Sequence, residues 1–464
     1  MLNNINQLKR PEEVIKDVSI YCPQLSPIAA AVRIGVLGLS LAHGISQAAT
    51  LEVDSNQDNQ VGDGLCTLRE AIAAINAGVS GADCAGSDFG VNDTINFAVG
   101  LDSNTITLGG TELMIAASKS LTIDASSIDG GITVDANQQS RVFSLADTSA
   151  LTVQNTTITG GNETNGGGIY ASGADLVLTD STVSANAATA QGGGIYAYDG
   201  TLELNNSVIS QNTAPEGGGV FSTYNNDLTL TDSTVSGNTA TTASGGGIYC
   251  YNGCSTTLSG STVSGNSATD AGGGIYSDSS GSTTISNSTI SSNMATGQAG
   301  GIYLYDGNVE FKNTTIADNY AMGVYAGGIV NGGATITLTN TLIGNNVAND
   351  SADGDCSLQA GTITPDAATI IEDGNCNAIR SGNPGLNGLG DNGGPTQTHT
   401  LTIGSIARNT GILANCETND QRGNLRDDGD GACDVGSVEF ISSDDDTIII
   451  VIPLGQNRAV SVPL

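Results

Sequence analysis

Apolar positions recur along this chain with two superimposed periods. Within short runs they alternate with polar ones, as in Gly194-Ile195-Tyr196-Ala197, Leu202-Glu203-Leu204 and Val208-Ile209-Ser210, the pattern of a half-buried β-strand. Over longer distances the same phrase returns. The aliphatic centre of an STVS-like phrase stands at Ile158, Val183, Ile209, Val235, Val263, Ile290, Ile316 and Ile343, in steps of 25, 26, 26, 28, 27, 26 and 27 residues. A second aliphatic, after a glycine run, keeps step at Ile169, Ile195, Val220, Ile248, Ile275, Ile302 and Ile329. A single register of this length marks a stacked repeat rather than an ordinary globular core.

Each repeat of roughly 27 residues holds three β-type runs between turn residues. Gly, Ser, Thr and Asn dominate, and the long apolar stripes of helical repeats are missing. The pattern predicts an all-β chain, a right-handed parallel β-helix with three strands per coil, each coil ~4.8 Å above the last. Roughly a dozen coils between Asp93 and Glu439 would make a rod of ~55 Å. Asn186, Asn212, Asn238, Asn266, Asn293, Asn319 and Asn346 each follow the aliphatic centre by three residues. They should therefore stack in one column and hydrogen-bond from coil to coil. The Gly-Gly-Gly runs supply positive φ and close approach between coils.

Before the repeats, Thr67 and Glu70 have capping-box spacing, Leu68, Ile72 and Ile75 share one helical face, and Gly78 suits a C-terminus. A short helix here would plug the open end of the solenoid. The expected organisation is a signal peptide over 1–48, an N-terminal cap over 49–92, repeats over 93–350, a C-terminal β-helix end over 351–440, and an acidic linker with a hydrophobic hairpin over 441–464.

Charge narrows the partners. The chain carries a net charge of −34 with 13 Lys and Arg, so no basic surface exists to release counterions from nucleic acid or anionic lipid. The apolar run from Ile34 to Ala42 behind Arg33, followed by Ser46-Gln47-Ala48, reads as an export signal. Cys22 would leave with it. The other eight cysteines fall as close pairs, Cys66/Cys84, Cys250/Cys254, Cys356/Cys376 and Cys416/Cys433, and suit disulfides in an oxidising compartment, although eight cysteines allow 105 pairings. The eight-residue apolar tail Thr447–Leu454 contains a proline and is too short to span a bilayer.

Several motifs carry a resemblance. Cys66-Thr-Leu-Arg69-Glu70-Ala-Ile resembles the Cys-Ser-Leu-Arg-Glu-Ala motif of a family of exported bacterial β-helix proteins. The repeats look like those of polymorphic outer-membrane proteins, with Gly-Gly-Gly-Ile for Gly-Gly-Ala-Ile and Val/Ile-x-x-Asn for Phe-x-x-Asn. Asn383-Pro-Gly-Leu386, Asp391 to His399, Asp420-Gln-Arg-Gly423 and Cys433-Asp-Val-Gly436 are similar to the choice-of-anchor Q domain. Where that domain usually reads Ser-Pro-Ala-Ile-Asp-x-Gly, this chain has Ser405-Ile-Ala-Arg-Asn409-Thr-Gly411 and loses the carboxylate. The resemblance implies a secreted or surface-displayed β-helix of the bacterial envelope and assigns no activity.

Candidate chemistry is sparse. Parallel β-helices also build uronate lyases and hydrolases, which need calcium-binding Asp with a basic proton acceptor, or paired carboxylates. Between residues 150 and 350 the single basic residue is Lys312, and no His occurs. The acid pairs Asp353/Asp355 and Asp427/Asp428 read as solvated turns, and Arg69, Arg422 and Arg426 as partners of local carboxylates. Asp54-x-Asn56-x-Asp58 has the alternation of a calcium loop, but Asn59 replaces its glycine and Leu65 its glutamate. Calcium is thus the one cofactor the sequence raises. Tyr170, Tyr196, Tyr249, Tyr276 and Tyr303, with Phe221 in the same place, form an outward column that either binds glycan rings or a surface protein, or protects the sheet as a self-stacked ladder. The leading expectation is a non-catalytic, adhesin-like or envelope-associated protein; the alternative is a pectate-lyase-like enzyme acting on extracellular polysaccharide.

Overall fold

The computed structural model describes residues 48–278, 280–349, 354–426 and 431–441. The expected signal over 1–48, except its last residue, the tail from 442, and the acidic residues Asp353, Asp427 and Asp428 lie outside them. The described chain winds into a parallel β-helix, with four sheets of twelve, eleven, ten and eight strands whose neighbours come from successive coils. The coil around residue 210 shows the plan. Thr201–Asn205 joins the twelve-stranded sheet, Val208–Ser210 the eleven, Thr213–Ala214 the eight and Val220–Thr223 the ten. Three strands per coil were expected, and the fourth is the two-residue piece after the asparagine. It contains one inward alanine, Ala214 in this coil, too short a run for alternation to reveal.

The glycine runs exist because of that short strand. A Cβ on Gly193 would come within 2.4 Å of the Gly218 carbonyl oxygen and 2.6 Å of the Thr213 backbone, and Gly218, Gly246, Gly273 and Gly300 meet the following coils in the same way. Backbone lies directly on backbone, so no side chain fits. The third glycine of each run faces the asparagine column: a Cβ on Gly194 would meet the Asn212 amide nitrogen at 2.9 Å.

That column is buried and continuous. Asn238 is fully buried; its Oδ1 accepts from the backbone N–H and Nδ2 of Asn212, and its Nδ2 donates to the Ile209 carbonyl and to Asn266 Oδ1, at 2.9 to 3.0 Å. The same bonds join Asn186, Asn212, Asn266, Asn293, Asn319 and Asn346. A second column, absent from the sequence-based expectation, occupies the other end of the Val208–Ser210-type strand. There the backbone N–H groups of Ser181, Ser207, Ser233 and Ser261 donate to the serine hydroxyl one coil on. A residue in the left-handed region precedes each ladder residue, Asn206 (φ 47°) before Ser207 and Gln211 (φ 56°) before Asn212. Each corner is thus a sharp turn whose buried polar groups are satisfied by the next coil.

The asparagine column ends on a carboxylate. Asp355 is buried, and its Oδ1 accepts from both the N–H and Nδ2 of Asn346, while Oδ2 accepts from the Asp373 N–H. The solvated-turn expectation is therefore wrong for Asp355. Burial pushes its pKa up to about 6, against the hydrogen bonds from Asn346 that favour the charged form.

Both ends of the stack are closed. The stack begins at Thr50–Val53, which pairs with Asp93–Phe97, so the cap is inserted between the first two coils rather than preceding them. Its helix α1 (Leu68–Ala77) has the full Thr67/Glu70 capping box and a left-handed Gly78, and buries Leu68, Ala71, Ile72, Ala74 and Ile75. Cys66–Cys84 closes this cap, and Cys356–Cys376 fastens the last coil. The stack stops at Ile370–Ile371. Residues 382–441 add no coil. They run back along the outer face of the eleven-stranded sheet, with Thr396 Oγ1 donating to Gly260 O, Thr262 Oγ1 to Gln397 O, and the Ser437 N–H to Thr315 Oγ1. Leu401, Ala407, Val435 and Val438 pack there on Leu342 and Ile370 as a second small core. Leu342 stands where most of the preceding coils carry an outward threonine.

Three outcomes are expected. Asn238→Ala removes four buried hydrogen bonds, among them the acceptor of the Asn212 N–H, and should lower unfolding free energy by about 1–3 kcal/mol, read from denaturant melts; a melt matching the parent would place the column in solvent. Gly193→Val should prevent recovery of folded protein. For Asp355 the sign follows from its raised pKa. The folded state keeps the proton up to about pH 6 while the unfolded chain releases it near ~3.9, so this group's contribution is full below that value and is lost as pH rises to 6. Asp355→Asn should flatten the stability slope across that window, and parallel slopes in variant and parent would contradict this.

Candidate functional site

The aromatic column lies on the ten-stranded sheet, where parallel in-register pairing sets Tyr170, Tyr196, Phe221, Tyr249, Tyr276 and Tyr303 opposite one another. Successive ring centroids are 5.2, 5.6, 4.9, 4.8 and 5.2 Å apart, with planes within 26° of parallel. The coil rise of ~4.8 Å is close to a ring-stacking distance, so register alone produces the stack. Its ends are covered too. The Arg141 guanidinium lies 4.9 Å over Tyr170, and Tyr303 packs on Ala299, Ala326 and Val330. Ring faces are thereby turned to each other, leaving edges and hydroxyls toward solvent. Desolvation raises the pKa of the Tyr249 and Tyr276 hydroxyls well above the ordinary tyrosine value, with neighbouring tyrosines and carboxylates, Glu216 and Asp278 among them, adding to it.

A second set of aromatic rings, not anticipated from sequence, stands at the end of this strand and in the turn that follows it. Tyr198, Tyr251 and Tyr305 sit two residues beyond column positions, and Tyr224 three residues beyond Phe221. Tyr224, Tyr251 and Tyr305 are 48%, 43% and 54% exposed. The signal was present in the sequence as a tyrosine at i+2 of the column residue. The Cys250–Cys254 disulfide closes the turn that carries Tyr251, and Tyr224 itself has φ 55°.

The charged residues singled out from sequence hold the caps together. Arg69 pairs with Asp58 at 2.6 Å and donates to the Thr111 and Glu112 carbonyls. Arg422 pairs with Asp420, and the fully buried Arg426 lies 3.6 Å from Glu439 and donates to Asn287 Oδ1, fixing the strap to the coils. Cys416–Cys433 lies within the same strap. His399 is buried between Ser291 Oγ and the Asn387 carbonyl. The Asn409 N–H donates to the Asp434 carboxylate.

The calcium-like alternation at the N-terminus is committed elsewhere. Asp54 accepts from the Cys66 N–H, Asn56 donates to Asn104, and Asp58 holds Arg69 and the Gly109 N–H. Among the described residues no group of three or more His, Cys, Asp or Glu side chains is placed to hold a metal ion. At the other end, Asp355, Glu372 and Asp373 line an open cleft of about 520 Å³ beside the last ladder residue. Glu372 is bound there by the Asn345 N–H and Asn383 Nδ2. On the coil surface Lys312, the sole cation between residues 150 and 350, is 2.7 Å from Glu417 of the strap.

No curated protein matches the chain. The solved structure titled "Crystal structure of pectate lyase Pel9A" superposes with a TM-score of 0.50 at 14% identity, covering 86% of this chain and 98% of that one. At that identity the likeness is one of fold. The family described as "Right handed beta helix region" matches residues 113–282 and 168–347, which together span just over half of the sequence. The chain belongs to this right-handed β-helix family.

Proposed function

We propose that this protein is a non-catalytic, exported β-helix displayed on or released from the bacterial envelope, whose coil surface serves binding rather than bond cleavage. The observation that carries this reading is the engagement of Lys312 with Glu417. A uronate lyase needs a basic group on the coil surface to remove a proton and to offset the substrate's negative charge, and a chain of net charge −34 repels such polymers throughout. Likeness in fold to a pectate lyase supplies neither group. The four disulfides suit an oxidising, extracytoplasmic location.

Within this reading the tyrosine column is scaffold. Sugars stack on ring faces, and the faces here are covered by the next ring, by Arg141 or by small aliphatics. The alternative, a polysaccharide-active enzyme, is separated by a direct assay. Polygalacturonate incubated with the protein and calcium should give no unsaturated product above buffer. Product formation that disappears on one coil-surface Asp→Asn substitution would overturn the proposal. Cell fractionation of the tagged protein should recover it in the envelope or medium without free thiols; reduced protein in the cytosol would contradict export.

A further expected outcome concerns the column itself. Replacing Tyr249 and Tyr276 together by Thr, which keeps strand propensity, should lower the denaturant midpoint while leaving cell and glycan binding at the parent level. Binding lost with an unchanged melt would make the column the ligand face.

A further inference from the structure

The turn edge beyond the tyrosine column combines exposed rings with carboxylates. Tyr198, Tyr224, Tyr251 and Tyr305 come from coils stacked one above another, with Asp278 in the coil between the last two. Asp199, Asp227 and Asp306 are exposed in the same turns. Burial, and then the neighbouring Asp306, raise the pKa of Asp278, so added negative charge is resisted here. No Lys, Arg or His lies in the sequence between residues 150 and 311.

The orientation of the rings selects the ligand chemistry. Tyr198 and Tyr224 have centroids 4.7 Å apart with planes tilted by 35°, and Tyr251 is tilted by 59° against Tyr249. Rings splayed in this way make no flat platform for a sugar. A cation needs one ring face within ~6 Å and a nearby carboxylate, and tolerates any tilt. The molecule already uses that contact, because the terminal face of the adjacent column holds the guanidinium of Arg141.

We propose that this edge docks an extended, Arg-rich segment of a partner protein, with guanidinium groups seated on Tyr224, Tyr251 and Tyr305 and paired with Asp278 and Asp306. This deepens the non-catalytic binding function and rests on it. From the coil of Tyr198 to that of Tyr305 is four coil steps, roughly 19 Å, which an extended peptide of about six residues spans. The charge of the whole protein attracts any polycation; the rings localise it. The Cys250–Cys254 closure fixes the turn bearing Tyr251 before the partner arrives, which reduces the ordering cost of binding.

The test is fluorescence anisotropy of a labelled (Arg-Gly)4 peptide on the full chain at physiological ionic strength, with a neutral Ser-Gly peptide and neutral cello- and xylo-oligosaccharides as further probes. The triple variant Tyr224→Asn, Tyr251→Ser, Tyr305→Ser leaves net charge unaltered, and Asn tolerates the left-handed backbone at 224. The expected result is at least tenfold weaker peptide binding by the variant with an unchanged circular dichroism melt. A second variant, Asp278→Asn with Asp306→Asn, keeps the rings and should weaken binding at least threefold. Asp88→Asn with Asp129→Asn, removing the same charge from N-terminal turns, should stay within twofold of the parent. Equal losses in the two charge variants, or full binding by the triple tyrosine variant, would reduce the effect to general electrostatics and overturn the proposal. Oligosaccharide binding that is lost in the tyrosine variant while peptide binding is kept would also overturn it, in favour of a glycan. The uronate assay on the same preparations reports on the non-catalytic reading separately: absent peptide binding with absent cleavage sinks only the docking edge.

Discussion

A β-helix has to turn corners inside itself, and the buried polar groups at those corners must be satisfied by the coil above and the coil below. Here Asn and Ser do this at the two ends of one short strand. An unpaired buried amide costs about 1–3 kcal/mol, so a coil that slips out of register loses several such bonds at once. Much else follows from that constraint. The third glycine of each run is small because an asparagine amide lies against it, and the middle glycine because a neighbouring strand does. The tyrosines stack because the ladder fixes the register in which they stand.

The main axis of the fold is legible in the sequence because identical environments recur. Each coil asks for the same residue at the same step, and the asparagine column, the helix with its Thr67/Glu70 box and the closely spaced cysteines are all legible in the residues alone. What escaped has physical reasons as well. A strand of two residues, such as Thr213–Ala214, has no alternation to detect. The serine column was hidden in the repeated STVS phrase, since a buried serine and a turn serine look alike. Asp355 read as a loop acid because its role depends on where the ladder stops. The strap of residues 382–441 makes its contacts across about 100 to 160 positions in sequence, which no local pattern encodes.

The candidate site was legible by half. Sequence placed six aromatic side chains in one column, and the stack has them there. It could not tell whether ring faces or ring edges meet the solvent, because that follows from side-chain rotamers and coil rise. The most exposed tyrosines, Tyr224, Tyr251 and Tyr305, stand just beyond the column and outside the strict repeat. The division is a physical one. Positions that recur in every coil hold the coils together, whereas residues that depart from the repeat, such as Lys312 with Glu417 or Leu342 under the strap, do something local.

The claim that the buried corner ladder holds the whole stack is tested most directly by hydrogen exchange. The backbone N–H groups of Asn212, Asn238, Asn266 and Asn293 each donate to the next asparagine in the column. They should exchange only through global unfolding, with one common protection that follows the denaturant stability of the protein. The turn amides at Tyr224 and Asn225 should exchange orders of magnitude faster. Ladder amides that exchange at the rate of those turns, or coil by coil with unrelated protection, would contradict the account.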